Sequence, residues 1–182
     1  LIWNREANIA LSIHSKDIGI KDSIEFIDLN TEQILIGIPL SNPILKNINI
    51  SSTEKYPPIS LNSLANENFV LMSTNTLIRD IIDLCFKDAA FTPNVLFVTS
   101  STPTVLNMVN QQICLGFIPE SYISQNQNIK FFSLSPKKYW TRCISYQKGG
   151  YLTKSEKYFI ELCKAYYQGN LSEYTIVNKK QD

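Results

Sequence analysis

The sequence predicts an α/β fold built on a parallel sheet, and two observations in its central third carry that expectation. Between Phe69 and Pro119, three short apolar runs, "FVLM", "NVLFVT" and "CLGFIP", alternate with two stretches of helical apolar spacing. Strand, helix, strand, helix, strand at this spacing is a β-α-β-α-β unit, which implies parallel strands and right-handed crossovers. The second observation is that both strand-to-helix junctions are uncharged and hydroxyl-rich, Ser73-Thr74-Asn75-Thr76 and Thr99-Ser100-Ser101-Thr102.

The elements follow in chain order. "IALSI" (Ile9 to Ile13) suits a short buried strand, and residues 23–38 hold two extended stretches, "SIEFIDL" and "QILIGI", joined at Asn30-Thr31. Pro39 and Pro43 rule out a continuing helix. Residues 46–68 are polar and proline-bearing, which marks a connection with one short helical turn and a lobe boundary. After the strand Phe69–Met72 comes a helix with Leu77, Ile81, Leu84 and Cys85 on one stripe, widened by Ile78 and Ile82. Thr92-Pro93 breaks the chain before "NVLFVT". Thr102 as N-cap with Pro103 at the first helical position starts the next helix, whose buried side is Leu106, Val109 and Ile113. Pro119 ends the third strand, where its missing N–H costs nothing. Residues 121–138 read as a polar connection, and "WTRCISYQ" as one more strand. Thr153 and Glu156 form a T-x-x-E capping box for a last helix with Phe159, Leu162, Cys163 and Tyr166 inside, closed by Gly169.

Composition narrows the function classes. At 182 residues the chain can bury a real core, and 44% hydrophobic with 18% charged residues is ordinary for a soluble globular protein. A net charge of +1, with no long basic run, is not the footprint of a nucleic-acid binder. No apolar run is long enough to span a membrane, and "LIWNREANIALSI" carries internal charges without a small-residue cleavage site, so no signal peptide is expected. Cys85, Cys114, Cys143 and Cys163 are widely spaced, which predicts buried reduced thiols in a cytoplasmic protein and no zinc site. A redox-sensing thiol is the alternative, but no cation adjoins any of the four to depress its pKa.

In open α/β sheets, ligands bind outside the carboxyl ends of strands. Helix N-termini add unpaired N–H groups and partial positive charge, so the two hydroxyl-rich junctions together suit a carboxylate, sulfate or phosphate. Each run also suffices as an N-cap with spare loop residues. No glycine-rich phosphate loop accompanies them, which argues against a nucleotide. His14 is the only histidine and no serine sits in a G-x-S-x-G context, so no nucleophile–base pair assembles and no enzyme, metal or cofactor is expected. Asp80, Asp83 and Asp88 read as a solvated helix face.

The stretch "ENFVLMSTNTLIRDIIDLCFKDAAFTPNVLFVTSSTPTVLNMVNQQICLGFIPESYI" resembles the second effector-binding lobe of LysR-type transcriptional regulators. The likeness lies in the order of strand, polar loop, Leu-x-Arg helix, aromatic-x-Pro break, strand, "VLxMV" helix and Gly-aromatic-Ile-Pro. "ANIALSI", "ILIGIPLSNPIL" and "YLTKSEKYFIELCKAYY" resemble flanking pieces of the same family, so the likeness covers residues 4 to 168. It implies a periplasmic-binding-protein-like (type II) fold of two α/β lobes joined by crossover strands. Residues 1–46 and 143–170 would form a first lobe that lacks its opening β-α-β segment, residues 47–142 the second lobe, and 171–182 a tail. The resemblance further implies a small effector in the cleft between lobes, a homodimer or homotetramer, and DNA binding only through an N-terminal helix-turn-helix domain absent from this sequence.

Carried over by position, the effector residues are Ser73, Thr74, Asn75, Ser100, Ser101 and Thr102, with Phe117 and Pro119 as a wall and Ser12 and Ile13 from the first lobe. Asn8 stands for the family's usual Asp, and Asn42 for the His before its Pro. Gln112 and Cys114 stand where glycines are common, so crowding of the cleft is expected there. The reactive cysteine of peroxide-sensing members would fall near Leu77, so Cys85 is not identified as a sensor. A solute-binding protein of the same fold is a second reading, disfavoured by the free cysteines. "WTRC" is similar to the Thr-Arg-Phe motif of prephenate dehydratases and gives a third, with Arg142 as its key residue.

Overall fold

The computed structural model describes residues 2, 7–19, 22–48, 53–124 and 128–169. Among the described residues, seven strands and three α-helices follow one another: β1 (Ile9–His14), β2 (Ile24–Pro39), β3 (Pro58–Ile59), β4 (Asn68–Met72), α1 (Leu77–Asp88), β5 (Asn94–Thr99), α2 (Thr102–Asn110), β6 (Leu115–Pro119), β7 (Ile129–Gln147) and α3 (Lys154–Tyr167). Two compact units result, one of Leu1–His14, Gly19–Thr31 and Thr141–Asp182, the other of Ser15–Ile18 and Glu32–Trp140. The sequence-based boundary after residue 46 differs, because Ile34–Gly37 of β2 pair with β6 and so belong to the second unit.

In the second unit the strands run in the order β2, β6, β4, β5. β4 is parallel to both β5 and β6, and β2 is antiparallel to β6. This is the predicted β-α-β-α-β unit. Side chains alternate along each strand, so β4 and β6 serve two different helices at once. On one face Phe69 stacks on Phe117 at 6.1 Å, and Phe86 of α1 meets both edge-on at 5.3 and 5.7 Å. On the other, Val70 and Ile118 join Val105 and Val109 of α2 in one buried cluster. A Cβ at Gly116 would stand 2.7 Å from Val105 Cγ1 and 2.9 Å from Val109 Cγ2, so glycine is what lets α2 settle this close.

The first unit pairs β1 with the end of β7, antiparallel, from Ile9↔Tyr146 to His14↔Thr141. α3 starts as expected: Thr153 Oγ1 accepts from Glu156 N, and Glu156 Oε2 accepts from Thr153 N at 2.7 Å. Gly169, at φ +77°, follows the C-cap Gln168.

Several elements differ from expectation. β2 is one strand of 16 residues with no break at Asn30-Thr31, and β7 has 19 residues, so most of the expected connection 121–138 is strand. The apolar stripes also rotate. α1 buries Ile78, Ile81, Ile82, Cys85 and Phe86, whereas Leu77 and Leu84 are half-buried. α2 buries Val105 and Val109, and Ile113 lies exposed beyond its end. α3 buries Ile160 and Ala165, with Phe159 and Tyr166 exposed.

Candidate functional site

The carboxyl ends of β4 and β5 bring the two hydroxyl-rich turns together. Ser73 N donates to Thr99 O at 2.9 Å, and the Ser73 and Ser100 hydroxyls meet at 2.9 Å. Thr74, Asn75 and Ser100 are exposed around this junction, and Ser73 and Ser101 are half-buried.

The helices that leave these turns are capped differently. Ser101, extended at φ −119° and ψ 112°, accepts from Thr104 N through its hydroxyl. Ser101 is therefore the N-cap of α2, not Thr102, which is the first helical residue and buried, with Pro103 second. At α1 the N-cap is Thr76, but its hydroxyl donates to Ser73 O at 2.7 Å and no side chain caps the first turn. The α1 N-terminus thus keeps its partial positive charge and its orphan N–H groups beside the joined turns.

Charged groups gather around the strand ends. Arg79, only 16% exposed, donates from Nη1 to Met72 O at 3.0 Å and from Nε to Asp83 Oδ1 at 2.7 Å. After β6, Glu120 accepts from Lys55 Nζ at 2.8 Å. That hydrogen bond, with Tyr56 beside it, holds the Lys55 ammonium above its usual range. Glu32, 6% exposed, accepts from Ser121 N at 2.7 Å through Oε2 and so anchors the turn that follows β6. Neither Glu32 nor Lys55 was legible as a site residue. Glu32 stands two residues before the apolar run "ILIGI" as an ordinary strand charge, and only the pairing of β2 with β6 brings it to Ser121.

The other carried-over residues lie elsewhere. Phe117 belongs to the aromatic core and is 3% exposed, and Pro119, opposite Ile34, is also buried, so neither offers an open wall. Ser12 and Ile13 belong to β1 in the first unit, where Ser12 Oγ lies 3.2 Å from Cys143 Sγ and Ile13 faces Arg142 in register. The expected crowding by Gln112 and Cys114 is corrected too. They precede β6, at the end of the sheet opposite the hydroxyl turns, where Gln112 bonds Ser41 N and Asn128 O.

All four cysteines are free, three of them buried. Burial raises each thiol, Cys85 to about 11, so thiolate chemistry is disfavoured. Among the described residues no cluster of three or more His, Cys, Asp or Glu side chains could hold a metal, and no helix is long and apolar enough to cross a membrane.

The family model for the LysR substrate binding domain matches residues 51–168. An uncharacterized HTH-type transcriptional regulator, YybE of Bacillus subtilis, is 24% identical over 158 residues, 84% of this chain and 48% of that protein. The chain therefore spans about half the length of the curated relative. Among solved structures, the effector binding domain of QuiR in complex with shikimate superposes with a TM-score of 0.70 at 18% identity, covering 92% of this chain and 75% of that one. The regulatory domain of CcmR from Synechocystis PCC6803 in complex with 2-PG gives 0.69 at 12% identity, covering 91% and 76%. These likenesses show the type II periplasmic-binding-protein-like fold.

Proposed function

We propose, from the premise that this chain belongs to the LysR substrate-binding domain family, that it is the ligand-sensing part of a transcriptional regulator and that its second unit takes the anionic end of a small effector at the joined turns. One observation carries the reading: Ser73 and Ser100 meet at 2.9 Å beside the α1 N-terminus, which no side chain caps. A carboxylate there accepts from first-turn N–H groups and from the hydroxyls of Thr74 and Ser100, while the helix dipole favours its charge. Ligand hydrogen bonds are better directed to Thr74, Asn75 and Ser100 than to Thr102, whose side chain is buried. Shikimate, bound by QuiR, is a hydroxylated carboxylate of the same class.

No covalent step is needed for such a task, and the reading is of a binding module rather than an enzyme. Regulation then requires a DNA-binding domain elsewhere in the regulator, a dimer or tetramer to transmit the change, and a cytoplasmic setting where promoter DNA is reached. Ser12 and Ile13 stay candidates on the family resemblance alone.

Calorimetric titration of the chain with shikimate and a panel of small organic and amino acids tests the proposal. Removing both hydroxyls in Ser73→Ala/Ser100→Ala should weaken the best carboxylate about tenfold or more, since hydrogen bonds to charged groups contribute on the order of 1.5–3 kcal/mol. Melting temperature is followed separately. Unchanged affinity in the double variant would refute the assignment.

A further inference from the structure

Arg79 is the third residue of α1, where the partial positive charge of the helix N-terminus disfavours a second cation. Its side chain is nonetheless largely buried and held at two atoms, with Nη1 donating to Met72 O at 3.0 Å and Nε to Asp83 Oδ1 at 2.7 Å. Met72 is the last residue of β4, and its carbonyl belongs to the same peptide unit as the Ser73 N–H. That N–H donates to Thr99 O at 2.9 Å. A peptide unit is planar, so one held at both its oxygen and its nitrogen has no freedom to turn. The next peptide is held as well, since Thr76 Oγ1 donates to Ser73 O at 2.7 Å. Ser73 thus lies between two fixed planes, which set the direction of its Cβ and bring its hydroxyl to Ser100 Oγ at 2.9 Å. The space beside Arg79 is lined by Val70, Leu71, Ile78, Ile82 and Phe117, whose side chains have no donor to offer Met72 O in its place.

We infer, on the reading that these turns receive a carboxylate, that Arg79 is their positioning residue. It fixes the Met72–Ser73 peptide, and through it the Ser73 hydroxyl, in the arrangement that binds the ligand, without touching the ligand itself. Asp83 is its second anchor: the carboxylate holds Nε, and the planar guanidinium then aims Nη1 at Met72 O. A lysine, with one ammonium on a flexible stem, cannot hold both partners in one plane. A turn set in advance binds more tightly, because the ligand does not have to order it. The sign of one effect separates this role from a purely electrostatic one. Asp83 carries a negative charge on the helix that receives the anion, so its removal strengthens binding if charge alone matters. Its removal weakens binding if Asp83 acts by anchoring Arg79.

Titration of the 182-residue chain with acetate and with shikimate, followed by calorimetry and by amide NMR shifts, tests the role. Arg79→Met should weaken both ligands about fivefold or more. In the free protein it should also speed hydrogen exchange of the Ser73 amide roughly tenfold, with Val105 and Val109 unchanged. Arg79→Lys, which keeps the charge but not the fork, should be weakened nearly as much. Because a buried position can fail to fold, Asp83 on the exposed face of α1 is the second position. Asp83→Ala should weaken both ligands about two- to fivefold, and Asp83→Asn, which keeps an acceptor for Nε, should restore them. If the parent binds neither ligand at Ser73 and Ser100, the carboxylate reading fails and the role of Arg79 with it. If the parent binds there, the role of Arg79 alone is overturned by any of three results: equal affinity in Arg79→Met or Arg79→Lys, unchanged exchange at Ser73, or tighter binding in Asp83→Ala.

Discussion

One position separates Ser101 from Thr102, yet only Ser101 holds the extended backbone that lets a hydroxyl reach a first-turn N–H. Pro103 does not discriminate between the two registers, because the first and second helical positions both have orphan N–H groups that proline can lack without cost. The sequence is therefore degenerate by one residue at this cap, and the backbone of the β5–α2 turn decides it. Ser101→Ala should destabilise the fold by about 0.5–2 kcal/mol, with Ser101→Asn restoring most of the loss. Urea denaturation checks this, and an alanine variant as stable as the parent would return the cap to Thr102. Gln112 shows a second one-residue decision. It sits at φ +63°, in the left-handed region that glycine enters freely. Here the side chain offsets the backbone cost by accepting from Ser41 N and donating to Asn128 O, at 2.9 and 2.7 Å. Hydroxyls and caps of the candidate site were legible as residue types next to helix starts. Glu32 and Lys55 were not, since their partners Ser121 and Glu120 lie 89 and 65 residues away in sequence.

At the scale of elements, α3 is the case where local chemistry suffices. Its capping box closes between Thr153 and Glu156, three residues apart, so a motif in the sequence maps directly onto two hydrogen bonds. The Thr153 backbone N–H, the Asn8 amide and the Thr153 hydroxyl hold the Glu156 carboxyl below its usual value of 4.5. A depressed folded-state pKa means that the box contributes stability above the unfolded value and loses it as pH falls through the folded one. Thermal melts of the parent and of Glu156→Gln should therefore differ in their pH dependence below about pH 4.5, with the parent losing more stability on acidification. Parallel pH curves would show that the carboxylate is not engaged in solution. The two long strands show the opposite case. The polarity of residues 121–138 makes the first half of β7 read as a connection, and Asn30-Thr31 makes β2 read as two pieces. Neither break is real, because what holds these segments extended comes from distant parts of the chain: β3 pairs with Ser133 and Leu134 of β7, and the Thr31 hydroxyl of β2 meets that of Thr141 at 2.8 Å. The β-α-β-α-β unit was legible because its strands and helices repeat at short range, with periods of 2 and 3.6 that survive without tertiary context. Which side of each helix is buried depends on the sheet beneath it, and there α1, α2 and α3 all turned from the simplest stripe.

For the molecule as a whole, the apolar burial is unevenly shared between the two units. Among the described residues, the buried apolar side chains of the first unit are Cys143, Ile144, Ile160 and Ala165, while the second unit holds all the others, including Phe69, Phe117, Val105 and Val109. In the first unit Leu11 is 58% exposed, Tyr151 82% and Tyr166 63%. Each fully buried large aliphatic or aromatic side chain contributes roughly 1.5–3 kcal/mol, so resistance to local opening should follow this distribution. Hydrogen exchange of the 182-residue chain should show β4, β6 and α2 among the slowest amides, exchanging only through global unfolding. β1 and α3 should exchange at least tenfold faster through opening of the first unit alone. A saturating carboxylate at the Ser73–Ser100 turns would then slow exchange in the first turn of α1, where it replaces the missing cap, without slowing the end of that helix at Cys85. Uniform protection across both units would instead mean that the first unit draws stability from interactions its own buried side chains do not supply.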